Sequence, residues 1–282
     1  MTPFSLNING KLVHYRKPVV MGILNVTPDS FFAGSRMDST EKIAFRVREM
    51  IDQGVDIIDI GAYSSRPGAD DVSPDEELRR LENGMNILRS IAPEIPVSVD
   101  TFRASVAREA VKNLSVNIIN DISGGDLDAH MFPTVAEMKI PYVLMHMRGT
   151  PETMQQLTDY GTRGVTATVL DDLALKLNKL ALMGVNDIIL DPGFGFGKTL
   201  SQNYELMRNL EVFHTLPAPL LVGVSRKSMI TKALGITPDE ALSATTALHA
   251  FALDRGAEIL RVHDVREARQ ACDIWCNLND PL

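Results

Sequence analysis

The sequence predicts a (β/α)8 barrel preceded by a β-hairpin, in a single domain spanning 1–282. Three observations carry that prediction. Short runs rich in Val, Ile and Leu recur eight times. Each run closes on a polar residue. Each is followed by a loop and a longer amphipathic stretch bearing helix signals. Apolar strands buried on both faces and alternating with helices make a parallel sheet. Eight such units close on themselves in a barrel. An open doubly wound sheet is the competing topology, and the count favours closure. A chain of 282 residues suits one barrel. No linker or low-complexity tract divides it.

Taken in order, "SLNINGKLV" alternates apolar and polar residues around Asn9-Gly10, a hairpin signal because both turn positions need positive φ. The strand runs follow. "VVMGILN" ends at Asn25, "VDIIDIG" carries Asp59, and "PVSVD" ends at Asp100. "VNIIND" ends at Asn120 and Asp121, "YVLMHM" contains His146, and "DIILD" ends at Asp191. "LLVGVSRK" brings Ser225 to Lys227, and "EILRVHD" brings Arg261 to Asp264. Helix starts are marked by "SPDEEL", where Ser73, Pro74 and Glu76 form a capping box, and by "TPDEAL", with Thr237, Pro238 and Glu240. "TPET" at 150–153 offers a Thr-Pro start without the box. Gly54, Gly184 and Gly256 stand where helices end.

Composition narrows the function classes. The chain is 45% hydrophobic and 23% charged, as globular proteins are. A net charge of −8 and a pI near 5.3 argue against nucleic acid as a partner, which needs a basic face. No apolar run reaches the length of a membrane span, and the N-terminal stretch has no secretory pattern. Low cysteine use suits a reducing compartment, so a cytoplasmic enzyme is expected. Cys272 and Cys276 lie four apart, as packing or half-exposed thiols on one helix face.

Barrel strands deliver their C-terminal ends to one face. Here those ends gather Asn25, Asp59, Asp100, Asn120, His146, Asp191, Lys227, Arg261 and His263. Any one of these is ordinarily a cap or turn former. As a set they line one mouth. Asp100, Asn120 and Asp191 suit an N–H-rich heterocycle, since a carboxylate accepts paired N–H bonds from such an edge. Arg261, His263 and Asn25, on adjacent strands, suit an anion such as phosphate. Lys227 lies between the two sets. The long segments 25–39 and 64–73 read as lids over the mouth, with Arg66 stiffened by the Pro-Gly that follows.

"DPGFGFGKT" at 191–199 imitates a phosphate loop. A P-loop needs four residues between its glycine and Gly-Lys-Thr, and only three separate Gly193 from Gly197. The even spacing of Gly193, Gly195 and Gly197 also fails the dinucleotide pattern. Both readings are rejected.

The strand-end motifs "GILNVTPDSF", "SSRPGA", "SVDT", "IIND", "LMHMRGTP", "LDPGFGFGK", "GVSRKS" and "RVHDV" together resemble the dihydropteroate synthase family. They occur in that family's order. The resemblance implies a TIM barrel that joins 6-hydroxymethyl-7,8-dihydropterin pyrophosphate to p-aminobenzoate, with Mg2+, as a homodimer and a sulfonamide target. It implies a pterin site of Asp100, Asn120, Met145, Asp191 and Lys227. It implies pyrophosphate contacts at Asn25, Arg261 and His263, with Asn25 also toward the metal. It implies aminobenzoate surroundings at Ser65, Arg66, Pro67, Phe196, Lys227 and Ser228. Asp100, Lys227, Arg261 and His263 are the expected catalytic groups. Lys198 is expected to be a surface or loop-supporting lysine. The chain departs from the pattern at Ala62, Tyr63 and Ser65, where Gly-Glu-Ser-Thr is common before Arg-Pro, and at Ala33, where an aspartate is common. A methyltetrahydrofolate–corrinoid methyltransferase barrel is the alternative within the same pterin-binding class.

Overall fold

The computed structural model describes residues 2–27, 39–63 and 72–279. The chain opens with a hairpin of β1 (Phe4–Ile8) and β2 (Lys11–Tyr15), in antiparallel register from Phe4↔Tyr15 to Ile8↔Lys11. Asn9 and Gly10 turn it with φ of 51° and 79°, the two positive values its sequence demands.

Eight parallel strands follow: β3 (Val19–Asn25), β4 (Ile57–Gly61), β5 (Val97–Asp100), β6 (Ile118–Asp121), β7 (Tyr142–Met145), β8 (Ile188–Asp191), β9 (Leu221–Val222) and β10 (Ile259–Val262). They hydrogen-bond in the order β8-β7-β6-β5-β4-β3-β10-β9. Closure between β8 and β9 rests on a parallel bridge, Leu190↔Leu220, and on Leu190 N donating to Pro219 O at 2.8 Å. β9 is two residues long, because Gly223 and the turn beyond it take over where a full strand would continue. The helices are α1 (Ser39–Asp52), α2 (Pro74–Ile91), α3 (Ala104–Leu114), α4 (Met131–Met138), α5 (Gly164–Leu182), α6 (Leu200–Arg208), α7 (Ser228–Leu234), α8 (Leu242–Asp254) and α9 (Val265–Asn279).

Strand alternation sorts the side chains into two cores. Val20, Ile58, Ile60, Val99, Ile119, Leu144, Leu190 and Leu260 point outward and pack under the helices. Met21, Ile57, Ile118, Val143, Ile189, Leu221 and Ile259 point inward and fill the lower barrel. Leu6 and Ile8 of the hairpin join that inner cluster, so β1 and β2 close the barrel floor. Burial of each such aliphatic side chain contributes about 1.5–3 kcal/mol.

Several local expectations change. Ser73 caps α2 by accepting from Glu76 N at 3.3 Å, but the Glu76 carboxylate turns away to Arg79 and Arg80, each at 2.7 Å. Two guanidiniums outbid one backbone N–H, so half of the capping box remains. Thr237 and Glu240 form a full box, yet it heads only a 3-10 turn at Pro238–Glu240, with α8 starting at Leu242. "TPET" leads into a 3-10 turn at Met154–Gln156, and α5 begins at Gly164. The complete box on a long element is Thr199–Gln202 at the head of α6. Cys272 is buried and Cys276 partly so, as packing thiols are.

Candidate active site

The site follows from the same alternation. Two residues beyond an inward apolar side chain, the next inward side chain is polar. Ile57 is followed by Asp59, Ile118 by Asn120, Ile189 by Asp191, and Ile259 by Arg261. Val143 leads in the same way to Met145. A strand advances about 6.6 Å over two residues, so a polar tier sits one step above the apolar floor. Asp121 and His146 are out of phase and face the helices instead. Asp121 accepts from Tyr142 Oη, Ser123 Oγ and two backbone N–H groups. His146 Nε2 lies 3.3 Å from Asp172 Oδ2 on α5.

Arg261 ties the tier together. Its Nε donates to Asp59 Oδ2 and its Nη2 to Asp100 Oδ2, each at 2.7 Å. Asn120 Nδ2 donates to the same Asp59 oxygen at 3.0 Å. The two sets drawn from sequence therefore meet: the arginine assigned to the anion is already bonded to Asp100 of the heterocycle set, and to Asp59. Asp59, noted at the rim but given no role, is the buried hub. Its signal in the sequence was its phase with Ile57.

Asp191 accepts from Gly193 N at 2.8 Å, which turns the chain immediately after β8. Gly193 has φ of 72°, and a Cβ there would meet His146 O at 1.9 Å, so only glycine fits. Lys227 lies beyond β9, at the start of α7, and reaches back to donate to Phe194 O at 2.6 Å. Its ammonium stands 4.7 Å from the centre of the Phe196 ring. Ser228 follows it, exposed. Met145 packs with Ile122, Met147 and Met154, with Phe102 and Phe196 against them, giving the mouth an apolar wall.

Three carboxylates, Asp59, Asp100 and Asp191, thus face two cations, Arg261 and Lys227. Burial pushes the Asp100 carboxyl up to about 7, with Arg261 opposing and Asp59 reinforcing. Burial also raises Asp191, against the pull of Lys227. Burial lowers Lys227 to about 8, with Asp191 opposing. Burial disfavours the Arg261 cation, but Asp59 and Asp100 outweigh it and hold the guanidinium charged. Such a set of groups suits a flat ligand with several N–H donors.

Two residues beyond Arg261, His263 is anchored through Ser225 Oγ, 3.2 Å from its backbone N and 3.1 Å from Nδ1. Arg46 of α1 donates to His263 O. Burial and then Arg261 lower His263 to about 4, so its ring is neutral at pH 7 and acts as a single N–H donor. The anion contact expected of it then rests on that N–H. Arg226, in a left-handed conformation with φ of 55°, is clamped to Asp264 through Nε and Nη2 at 2.9 and 2.7 Å. Asn25 ends β3 facing inward beside Gly61.

Ser65, Arg66 and Pro67 lie outside the described residues, as do Phe31 and Ala33. The departure at Tyr63 can be followed: its ring meets Phe102 edge-on at 5.1 Å and lies 5.1 Å from the Arg103 guanidinium, which pairs with buried Glu77 at 2.6 Å. Lys198 corrects an expectation. It supports the loop, but it is not on the surface: it is 4% exposed and its Nζ is surrounded by acceptors.

Residues 21–263 match a family described as pterin binding enzymes. The chain is 43% identical over 265 residues to the dihydropteroate synthase of Bacillus subtilis, covering 92% of this chain and 88% of that one. Its structure is similar to a Xanthomonas albilineans dihydropteroate synthase solved with 4-aminobenzoic acid, with a TM-score of 0.90, 34% identity and complete coverage of both chains. It is likewise similar to a Clostridium difficile dihydropteroate synthase solved in the presence of pteroic acid. There the TM-score is 0.85, with 36% identity over 93% of this chain and 97% of that one.

Proposed function

The chain belongs to the dihydropteroate synthase family of pterin-binding enzymes, and on that premise we propose that it condenses 6-hydroxymethyl-7,8-dihydropterin pyrophosphate with p-aminobenzoate, giving 7,8-dihydropteroate and pyrophosphate. The observation that carries this reading is the tier of Asp59, Asp100, Asn120, Asp191 and Lys227 around Arg261. An excess of buried carboxylate is complementary to the amino-pyrimidinone edge of a pterin.

In this reading Asp191 and Asn120 hold the pterin edge, Asp100 and Lys227 its other polar atoms, and Met145 one face. Arg261 and His263 take the pyrophosphate, with Asn25 at its side. Phe196, Ser228, Ser65, Arg66 and Pro67 surround the aminobenzoate. The bond that breaks joins the pterin methylene carbon to the pyrophosphate oxygen, and the electron pair leaves with pyrophosphate. The bond that forms joins that carbon to the amine nitrogen, which then loses a proton to solvent. Arg261 neutralises charge developing on the leaving group. His263 donates its N–H there, and its pKa rises as the anion approaches. Asp100, beside the ring, favours the positive charge left on the dihydropterin. Nothing in the tier forms a nucleophile–base dyad, and orientation of two substrates carries the rate.

The donor chemistry fits a magnesium ion that arrives with its substrate. Mg2+ keeps several waters and takes one or two protein oxygens plus phosphates. Among the described residues no three His, Cys, Asp or Glu side chains converge as a ligand set, while Asn25 offers an amide oxygen on the pyrophosphate side. The bound ion would supply charge neutralisation on the leaving group. A homodimer also belongs to this reading. The groove between α8 and α9, lined by Leu242, Ile274, Trp275 and Leu278, supports it. Among the described residues no helix is long and apolar enough to cross a membrane; a cytoplasmic location is part of the same proposal.

The test is direct. The protein is incubated with the dihydropterin pyrophosphate, p-aminobenzoate and Mg2+, and pyrophosphate is followed. Release that depends on the amine is expected. Absence of amine-dependent release overturns the reading and leaves the methyltransferase-like alternative.

A further inference from the structure

Lys198 is buried behind the turn that links Asp191 to Phe196. Its Nζ lies 2.8 Å from Gly193 O, 3.0 Å from Phe196 O and 3.1 Å from His146 Nδ1. Three acceptors surround it, and an ammonium has three N–H bonds to give. The line continues outward through His146 Nε2 to Asp172 Oδ2 on α5, at 3.3 Å. Burial holds His146 down to about 4, so the ring is neutral and carries one proton. With that proton on Nε2, directed at Asp172, the Nδ1 lone pair faces Lys198. The network itself assigns this tautomer. An inner amine, which burial lowers to about 7 against the pull of Asp191, and an outer carboxylate are then joined through one imidazole.

The two carbonyls that Lys198 grips bracket the turn. Gly193 N donates to Asp191 Oδ1 at 2.8 Å, and Phe196 N donates to Gly193 O at 3.2 Å. Gly195 N is held from the other side by Asn203 Oδ1 at 2.6 Å. The peptide groups fixed by Lys198 are therefore those that aim a carboxylate at one substrate and an aromatic ring at the other. Burying a lysine costs free energy unless its N–H groups are all satisfied, and here each of the three has an acceptor.

We propose that Lys198, braced by His146 and Asp172, is a positioning residue that seats both reactants, the pterin through Asp191 and the aminobenzoate through Phe196. This rests on the dihydropteroate synthase reading above. A lysine that only stabilised the fold would change the melting temperature and leave the folded enzyme's substrate constants alone.

Lys198→Met keeps the length of the side chain and removes the three donors. Assayed well below its melting temperature, it should raise KM for both substrates by roughly tenfold or more, with kcat reduced less than about threefold. Asp172→Ala removes the outer end of the line at a residue 44% exposed, where folding is not at risk. It should raise both KM values in the same direction by roughly threefold. Asp171→Ala, its neighbour on the same helix, should leave them unchanged. Both KM values within twofold of wild type in Lys198→Met overturn the proposal; if that variant does not fold, unchanged KM values in Asp172→Ala do so. Wild-type protein without amine-dependent pyrophosphate release would overturn the functional reading instead. The brace is then read by amide hydrogen exchange at Gly195 and Phe196, which must quicken in Asp172→Ala; unchanged exchange overturns the brace as well.

Discussion

Arg261 and Asp59 meet at the centre of the barrel mouth, Nε to Oδ2 at 2.7 Å, with the carboxylate wholly buried. They come from β10 and β4, on either side of β3, and the contact spans 202 residues of chain. Asp59→Asn keeps the shape and removes the charge. Arg261 then has only Asp100, and Asn120 loses a charged acceptor. Breaking a buried pair from one side costs about 3–5 kcal/mol, and the amide should retain part of that. We expect a fall in melting temperature and a loss of kcat/KM of roughly ten- to a hundredfold. Wild-type values for both would show that the hub is dispensable.

Asp191→Asn tests the pterin edge. A hydrogen bond to a charged group contributes about 1.5–3 kcal/mol, and this carboxylate is expected to make two. Calorimetric titration with the dihydropterin substrate should show affinity reduced by about a hundredfold, with p-aminobenzoate binding to the pre-formed pterin complex less affected. Unaltered pterin affinity would remove Asp191 from the site.

Gly193→Ala and Gly10→Ala separate steric clash from backbone preference. Both positions have positive φ. A Cβ at Gly193 would press on His146 O at 1.9 Å, whereas one at Gly10 meets nothing within 4 Å. The first should cost more than about 2 kcal/mol and the second about 1 kcal/mol. Chemical denaturation midpoints measure both, and equal losses would contradict the geometry.

His249 on α8 is 1% exposed, and neither ring nitrogen has a partner among the described residues. Burial lowers it to about 4, against the weak opposing pull of Asp264. The folded state keeps this imidazole neutral while the unfolded chain protonates it near 6.5. Its contribution is therefore intact above pH 6.5 and is lost as pH falls toward 4. His249→Leu should gain on wild type across that window by about 3 kcal/mol. Melting curves at pH 7, 5.5 and 4.5 test this. A stability difference independent of pH would refute it.

Ile274 and Leu278 of α9 are exposed in the chain, at 64% and 75%. They flank Trp275 in the groove with α8. Ile274→Glu should convert a dimer to a monomer in sedimentation velocity. A wild-type chain sedimenting as a monomer would remove the dimer from the proposed function.

The barrel was legible in the sequence because its strands are buried on both faces and its helices carry end signals. The site was legible to the extent that each polar residue closes an apolar run. Phase was the finer signal: Asp59 belongs to the site because it keeps step with Ile57, and Asp121 does not because it falls one residue out. His146 and Lys198 were hard to place, since their partners lie across the fold: Lys198 is 52 residues from His146 in sequence. One capping box misled because its side chain had better partners, Glu76 in Arg79 and Arg80. No rule of spacing shows that competition.

The hairpin beneath the barrel closes its lower end. Leu6 and Ile8 seal the base, so whatever enters above Asp191 must leave the way it came. The reactant seated deepest has to load before its partner. In the proposed reaction, traffic through the upper end would then bear on the order of events as much as bond chemistry does.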